Sequence, residues 1–173
     1  MNDSPFNFSK SSEFRKFCEL SADLGRNPLL VQGAGGNTSI KEDSLLWVKA
    51  SGTWLSEATE KKTMVAVDLA RLQQAMTQND ERAEKPQHFK ADPTESLRPS
   101  IETVVHASLK HRVVLHVHCV ETISWAVLQN AEELLAAPLG GLDWVFIPYR
   151  RPGLPLAREI HSKISEQTHV LSL

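Results

Sequence analysis

The sequence lacks most of the features that mark specialised protein classes. Its two cysteines, Cys18 and Cys119, form no CxxC motif and no disulfide framework, which suits a reducing compartment. It has no run of Lys and Arg, and its formal net charge of -2 argues against a nucleic-acid partner. No apolar run approaches the roughly 20 residues that span a bilayer, and residues 1–5 lack a secretory signal pattern. These absences predict a cytoplasmic protein without a membrane partner.

The composition that remains is that of an ordinary globular domain. Hydrophobic residues make up 41% of the 173 residues and charged residues 23%, which excludes a disordered chain. A chain of this length fits one domain and can bury about two thirds of its unfolded surface. We therefore expect a single domain over residues 1–173.

Two histidines spaced two apart, His116 and His118, lie in the apolar segment 113–119, which the pattern predicts to be a buried strand. Side chains at this spacing point to the same face of a strand. Paired imidazoles are the beginning of a zinc-type site, although catalytic sites have three protein ligands and structural sites four. The spacing alone leaves open a second interpretation, in which the two histidines are simply hydrogen bonded near a strand end.

A glycine-rich segment, 33–39, carries glycines at three of its first four positions. Glycine allows positive φ and a close approach of the backbone to a ligand. The amide and hydroxyl side chains that follow, with exposed backbone N–H groups, could cradle an anion such as phosphate. The segment matches neither the Walker motif nor the dinucleotide-binding fingerprint. A tight turn between strands is the alternative.

Apolar periodicity predicts an α/β fold in which a hairpin meander forms a mainly antiparallel sheet covered by helices. The predicted strands are 39–41, 45–49, 64–67, 113–119, 145–147 and 170–173. The predicted helices are 11–24 with Gly25 as C-cap, 69–76 with Asp68 as N-cap, 100–109, 121–129 and 156–164. Residues 77–98 are predicted to be a long polar surface loop that contains a solvated His88.

The predicted helix 100–109 carries an acidic residue of interest. Ser100 is its expected N-cap, and its expected buried stripe is Ile101, Val104, Val105, Ser108 and Leu109. Glu102 and His106 are four residues apart and should share a face that packs beside the two histidines. An exposed first-turn glutamate, favoured there by the helix dipole, is the alternative for Glu102.

Four segments, in this order, resemble the class II aldolase/adducin family. They are Gln32–Ser39, Ala50–Gly52, Pro99–Glu102 with His106, and His116–His118, followed by similar segments at 148–149 and 153–157. The resemblance implies a central, mainly antiparallel sheet with helices on both sides. It also implies a homotetramer with sites between subunits. The implied activity is zinc-dependent cleavage of a C–C bond in a small, phosphorylated sugar or hydroxycarbonyl compound. Epimerases, dehydratases and non-catalytic adducin-like domains are the alternatives within the family.

The resemblance also implies roles for individual residues. It makes His116 and His118 ligands of zinc or another divalent metal, and Glu102 the acid/base residue that meets the metal when no substrate is bound. The implied phosphate-binding set is Gly36, Asn37, Ser51, Gly52 and Ser100.

The sequence departs from the family pattern at three places. Ile101 stands where fuculose-phosphate aldolases have a second serine, and Ala34 where they have threonine, so two hydroxyl donors are missing from the implied phosphate site. The family's third zinc histidine follows the strand that matches 170–173, and no histidine here matches it; those considered are His106, His161 and His169. The resemblance therefore implies a domain that lacks its C-terminal part.

Overall fold

The computed structural model describes residues 7–172, which form a sheet with helices on both faces. The helices are α1 (Ser12–Arg26), α2 (Leu69–Thr77), α3 (Thr103–Ser108), α4 (Val120–Ala126), α5 (Ala131–Ala136) and α6 (Leu154–Lys163). The strands are β1 (Asn37–Glu42), β2 (Leu45–Lys49), β3 (Met64–Asp68), β4 (Val113–His116), β5 (Trp144–Phe146) and β6 (Val170–Ser172). Short 3₁₀ helices cover Asn7–Lys10, Leu55–Glu57, Glu81–Glu84 and Pro86–Phe89.

The main sheet has the order β3-β2-β1-β4, and every pair of neighbours is antiparallel. The hairpin pairs Ile40 with Trp47, and β4 lies on the other side of β1 with His116 opposite Asn37. Strands β5 and β6 form a separate parallel pair. The predicted α/β class with a mainly antiparallel sheet is confirmed.

Strand alternation divides the hydrophobic core into two parts, one on each face of the sheet. Leu46 and Val48 contribute to the larger part, which includes residues of α2, α3 and α6. Ile40 and Trp47 contribute to the smaller part, which includes the buried side of α1. Because successive side chains of a strand point to opposite faces, one sheet can bury both sets.

Helix α1 begins as predicted but ends later. Ser11 is the N-cap, and its side chain accepts a hydrogen bond from the Phe14 N–H. The predicted C-cap at Gly25 is wrong, because the helix continues to Arg26 and Asn27 is its C-cap. Gly25 instead permits close packing: a Cβ there would lie 2.2 Å from the backbone nitrogen of Ser56, next to the 3₁₀ helix Leu55–Glu57.

Helix α3 begins three residues after its predicted N-cap. Ser100 does not cap it: Glu102 holds the N-cap position, and the Ser100 Oγ accepts a hydrogen bond from the Glu102 N–H at 3.3 Å. Ile101, predicted to lie in the buried stripe, is 54% exposed, whereas Val104 and Val105 are buried. The turn over 100–102 rotates Ile101 out of the helical pattern and brings Glu102 toward the sheet.

Strand β4 is shorter and more exposed than predicted. It ends at His116, and it is an edge strand with Val113 39% and Leu115 44% exposed. The prediction of one buried strand over 113–119 is therefore wrong. After His116 the chain leaves β1, and the His118 N–H donates to the Leu30 carbonyl at 2.8 Å.

The segment 77–98 is not a simple surface loop. It contains two 3₁₀ helices, Glu81–Glu84 and Pro86–Phe89, and it buries Ala83 and Phe89 in the larger core. His88 is exposed, as predicted. The last predicted strand is present as β6, except that Leu173 lies outside the described residues. Over residues 7–172, the helices are too short or too polar to cross a bilayer.

Candidate metal centre

The two histidines of the His-x-His motif converge at one end of β4. The Nε2 atoms of His116 and His118 lie 3.0 Å apart, and their rings are nearly perpendicular, at 89°. His116 is on the strand, whereas His118 is in the following loop. Burial lowers the pKa of His116, and the neighbouring His118 lowers it further while the Glu102 carboxylate opposes the shift. His116 therefore favours the neutral imidazole, which is the form that binds a metal.

Glu102 reaches the same place from the turn before α3. Its Oε2 lies 3.6 Å from the His116 Nε2 and accepts a hydrogen bond from the Asn37 Nδ2 at 2.5 Å. Asn37 is 3% exposed and lies opposite His116 in the β1–β4 register. Its Oδ1 is buried and has no hydrogen-bond partner within residues 7–172. The site thus holds a fixed carboxylate and an unsatisfied buried amide oxygen side by side.

The two imidazoles are donors of the kind that bind a divalent metal such as zinc. Two nitrogen ligands at 2.0–2.1 Å from a tetrahedral ion lie about 3.3 Å apart, close to the 3.0 Å between the two Nε2 atoms. The Glu102 carboxylate lies nearby, with its Oε2 3.6 Å from the His116 Nε2. Within residues 7–172, however, no three side chains of His, Cys, Asp and Glu gather closely enough to enclose an ion. The described residues supply two imidazoles with a nearby carboxylate, and not a completed cage.

Two glycines of the loop 33–36 are required by their contacts with this centre. A Cβ at Gly35 would lie 2.8 Å from the Nδ1 of His118. A Cβ at Gly36 would lie 2.9 Å from the carbonyl oxygen of His116, and its φ of +61° also favours glycine. The glycine loop therefore packs directly on both histidines.

The other residues of the predicted anion-binding set meet where β2 ends. The Ser51 N–H donates to the Arg98 carbonyl at 2.8 Å, and the Ser100 N–H donates to the Lys49 carbonyl at 3.2 Å. This bridging places Ser51 and Ser100 on adjacent backbone segments, with Ser100 9% exposed. Gly52 has φ +79°, and a Cβ there would have nothing within 4 Å.

Lys49 joins the glycine loop 33–36 to the turn 50–53, which together form the loop region. Its side chain was not predicted as part of the site. Its Nζ donates to the Ala34 carbonyl at 2.9 Å and to the Thr53 carbonyl at 2.7 Å. Burial lowers the pKa of Lys49 to about 8, although the Glu102 carboxylate opposes the shift. The only sequence signal for Lys49 as a site residue was its position two residues before the Ser51-Gly52 turn. Strand alternation gave no reason to expect a buried lysine there.

His106 supports the centre through a buried hydrogen bond between α3 and β1. It shares the α3 side with Glu102, as the spacing predicted, and the two side chains bond to alternate residues of β1. His106 is 1% exposed, and its Nδ1 lies 2.7 Å from the Ser39 Oγ. Burial lowers the pKa of His106 to about 3, so the ring is a neutral hydrogen-bonding group. This pair fixes α3, and hence Glu102, against β1.

The remaining histidines lie outside the centre. His111 and His169 meet edge-to-face at a ring-centroid distance of 5.3 Å, and the His169 Nδ1 lies 3.7 Å from an Asp143 oxygen. His88 and His161 are exposed. None of them supplies a third imidazole to His116, which agrees with their mismatch to the expected position.

Relatives of this chain are found among both proteins and solved structures. It is 29% identical over 158 residues to the uncharacterized oxidoreductase YuxG of Bacillus subtilis (strain 168), covering 84% of this chain and 23% of that protein. The chain thus spans about a quarter of the length of that relative.

Two solved structures have the same fold. One is the N-terminal class II aldolase domain of a conserved protein from Thermoplasma acidophilum, with a TM-score of 0.77 and 26% identity. The match covers 90% of this chain and 77% of that one. The other is YgbL from Escherichia coli, for which an aldolase, epimerase or decarboxylase activity has been suggested. Its TM-score is 0.58 at 14% identity, over 92% of this chain and 74% of that one, so it supports the fold alone.

The profile of one family covers nearly the whole chain. It matches residues 15–173, which include the glycine loop, Glu102 and both histidines of the centre. The predicted family is therefore confirmed, and this chain belongs to the Class II Aldolase and Adducin N-terminal domain family.

Proposed function

We propose that this chain forms the catalytic domain of a metal-dependent aldolase-type lyase that cleaves a C–C bond in a small, phosphorylated hydroxycarbonyl compound. The observation that carries this proposal is the convergence of Glu102, His116 and His118 beside a glycine-rich loop. Family membership supports an aldolase-like enzyme.

His116 and His118 would hold the metal, with Glu102 as the adjacent carboxylate. A bound divalent ion such as zinc would supply a Lewis acid that stabilises the negative charge developing on the substrate oxygen. Gly35 leaves space for the His118 imidazole, and Gly36 leaves space for the backbone carbonyl of His116.

The proton transfer belongs to Glu102. In a retro-aldol cleavage the substrate hydroxyl loses its proton as the C–C bond breaks, and the carbon that keeps the electron pair takes up a proton. The Glu102 Oε2 can carry this proton because Asn37 fixes its position.

The loop region would bind the phosphate. Gly36, Asn37, Ser51, Gly52 and Ser100 form the proposed set, which combines backbone N–H groups with short polar side chains. Lys49 adds a positive charge beneath it, since its Nζ already bridges the carbonyls of Ala34 and Thr53. Binding energy at the phosphate then positions the reacting bond near Glu102.

Metal content tests the proposal directly. Wild-type protein, His116→Ala and His118→Ala would be purified in parallel, with His161→Ala as a matched control on the exposed side of α6. Wild type and the control should hold zinc, and the two site variants should not. The proposal fails if wild type holds no more zinc than the site variants.

Turnover tests the role of Glu102 separately. With a panel of ketose 1-phosphates, and aldehyde release as the readout, Glu102→Gln should keep its metal but lose about 10²- to 10⁴-fold in rate. A variant that keeps full activity would remove Glu102 from the reaction.

A non-catalytic, oligomerising domain of adducin type is the second candidate, because the described ligand set is not a completed cage. Helix α4 also exposes apolar side chains, including Val120 at 48% and Ile123 at 45%, and so offers an assembly surface for a homotetramer. Zinc-free wild-type protein that sediments as a tetramer would favour this function over the enzyme.

A further inference from the structure

A groove of about 720 Å³ is lined by α5, β5 and the loops beside them, and none of its lining residues belongs to the candidate metal centre. Part of its wall is aromatic and consists of Trp144, Phe146 and Tyr149. Another part is the exposed side of α5, which carries Glu132 and Glu133. The volume falls within the range of roughly 300–1,000 Å³ that is typical of small-molecule sites. The groove therefore has the size of a ligand site, with a wall of rings and carboxylates.

Strand alternation in β5 directs two of these rings away from the core. Val145 packs against the larger part of the core, and Ile147 is fully buried in it. Because successive side chains of a strand point to opposite faces, Trp144 and Phe146 point the other way, into the groove. Both are partly exposed, and Tyr149 is 84% exposed. Among residues 7–172, neither part of the core includes these three rings, so the fold leaves them available to a ligand.

The charged side chains that line the groove are all acidic. Glu132 and Glu133 lie exposed in the first turn of α5, where the helix dipole favours a carboxylate but does not neutralise its charge. Within residues 7–172, neither carboxylate forms an ion pair or a hydrogen bond. Arg150, which follows the aromatic wall in the chain, is already paired with Glu159 of α6 at 3.0 Å. The groove thus presents two exposed negative charges without a counter-charge from the described residues.

Aromatic faces and carboxylates attract the same kind of ligand. The face of an aromatic ring carries negative electrostatic potential, and a cation within about 6 Å of the ring centre is attracted to it. The two carboxylates add a charge of the same sign, so they repel an anion and give a neutral compound no advantage. A quaternary ammonium group suits this lining, because its methyl groups can pack on the rings while its charge needs no hydrogen-bond acceptor.

From these observations we propose that the groove is a second ligand site, which takes a small organic cation of the alkylammonium class. Its ammonium group lies against the three rings, and the two glutamates of α5 are its counter-charges. The apolar part of the wall, which includes Leu128 and Pro148, accommodates the rest of the compound. This site is independent of the reaction proposed for the metal centre.

Choline and 3,3-dimethyl-1-butanol test this proposal, because they have the same shape and differ by one positive charge. Each would be titrated into the wild-type chain carrying ¹⁵N, with the amide shifts of Glu133 and Tyr149 as the readout. Choline should saturate these shifts and bind about 3- to 10-fold more tightly than the neutral alcohol, the factor expected for a cation on aromatic rings. This preference should shrink when sodium chloride is raised from about 0.01 M to 1 M, since the Debye length falls from about 30 Å to about 3 Å.

Two variants assign the effect to the groove. Tyr149→Leu keeps an apolar side chain but removes a ring, and Glu133→Gln removes one charge. Each should reduce the preference for choline over the alcohol by at least about 2-fold. Glu81→Gln removes an exposed carboxylate outside the groove and should leave the preference unchanged. All three positions are exposed, and thermal unfolding would confirm that each variant folds.

The proposal is overturned if choline gives no saturable shifts at these amides, if the alcohol binds as tightly, or if both groove variants keep the wild-type preference. Sedimentation of the ligand-free protein completes the test. Self-association that Tyr149→Leu abolishes would also overturn the proposal, because the groove would then hold a second copy of the chain.

Discussion

Gly35→Ala is expected to weaken metal binding without contacting the metal. The added methyl would lie 2.8 Å from the Nδ1 and 3.1 Å from the Cε1 of His118. Ordinary contacts are about 3.5 Å, so the imidazole must retreat by roughly 0.4–0.7 Å. The backbone of Gly35 does not have positive φ, but the Cβ would also lie 2.9 Å from the Gln32 carbonyl oxygen. The perturbation therefore acts on the position of His118 and on the glycine loop that packs against it.

The size of the effect follows from how strictly a metal site defines ligand positions. Ligand distances in functional sites stay within about 0.2 Å of their preferred values, and the expected retreat is larger. Loss of such supporting interactions typically weakens binding about 10- to 100-fold, which corresponds to about 1.4–2.7 kcal/mol. Competition for zinc against a chromophoric chelator, at one pH near neutrality, measures this change.

Gly33→Ala is the matched control. A Cβ there would have nothing within 4 Å, but the φ of Gly33 is +57°. It should therefore lose about 1–2 kcal/mol of unfolding free energy while keeping the zinc affinity of wild type. The reasoning is refuted if Gly35→Ala binds zinc as tightly as wild type, or if the control loses as much affinity.

Four further predictions concern stability and the loop region. Gly25→Ala should destabilise the fold by about 2 kcal/mol, because its Cβ would meet backbone atoms of the 3₁₀ helix at 2.2–2.6 Å. Urea unfolding beside exposed Lys16→Ala checks it, and a gain in stability would contradict it. Ser39→Ala should cost about 1–3 kcal/mol by the same assay, since buried His106 loses its partner. A loss below about 0.5 kcal/mol, which is the range of ordinary surface substitutions, would contradict it. Burial lowers the pKa of His106 to about 3, below the roughly 6.5 of an unfolded chain. The unfolded state then binds an additional proton between these values, so stability falls as pH is lowered from about 6.5 toward 3. His106→Gln should flatten this dependence by up to about 1.4 kcal/mol per pH unit, measured by urea unfolding at several pH values; an unchanged slope would refute it. Lys49→Met leaves two carbonyls without their donor and should weaken inhibition of turnover by inorganic phosphate, with Lys61→Met as the exposed control; equal inhibition of both would contradict it.

Local sequence patterns predicted most helices and strands. They misplaced the start of α3 and the end of β4, the two boundaries that position the candidate site. The cap at Asp68, which accepts from the Arg71 N–H, was visible from residue type. The start of α3 was not visible from residue type. The Ser100 hydroxyl accepts from the Glu102 N–H within a turn and therefore does not cap the helix. The length of β4 was wrong for a similar reason: the chain leaves β1 after His116 to reach the Leu30 carbonyl, and a sequence of alternating apolar residues does not record that contact.

The role of Gly25 was misread for a tertiary reason. A glycine near the end of an amphipathic pattern is typical of a C-cap. The sequence around Gly25 does not indicate its close contact with Ser56, which lies 31 positions later in the chain. The required absence of a Cβ comes from packing between two helices. Lys49 was missed in the site for the same tertiary reason. Its buried ammonium group is satisfied by carbonyls from two separate loops, which only the folded chain brings together.

The sequence by itself determined the fold class, the family and the residue types of the candidate site. Periodicity is a local property, and the motifs keep their order along the chain, so both can be read without coordinates. Only the tertiary structure decided that Glu102 is fixed by Asn37, that His118 reaches His116 from a loop, and that His106 is a neutral supporting group. These facts depend on contacts between segments distant in sequence, and burial and hydrogen bonding, which set the chemistry of each group, exist only once those segments have packed.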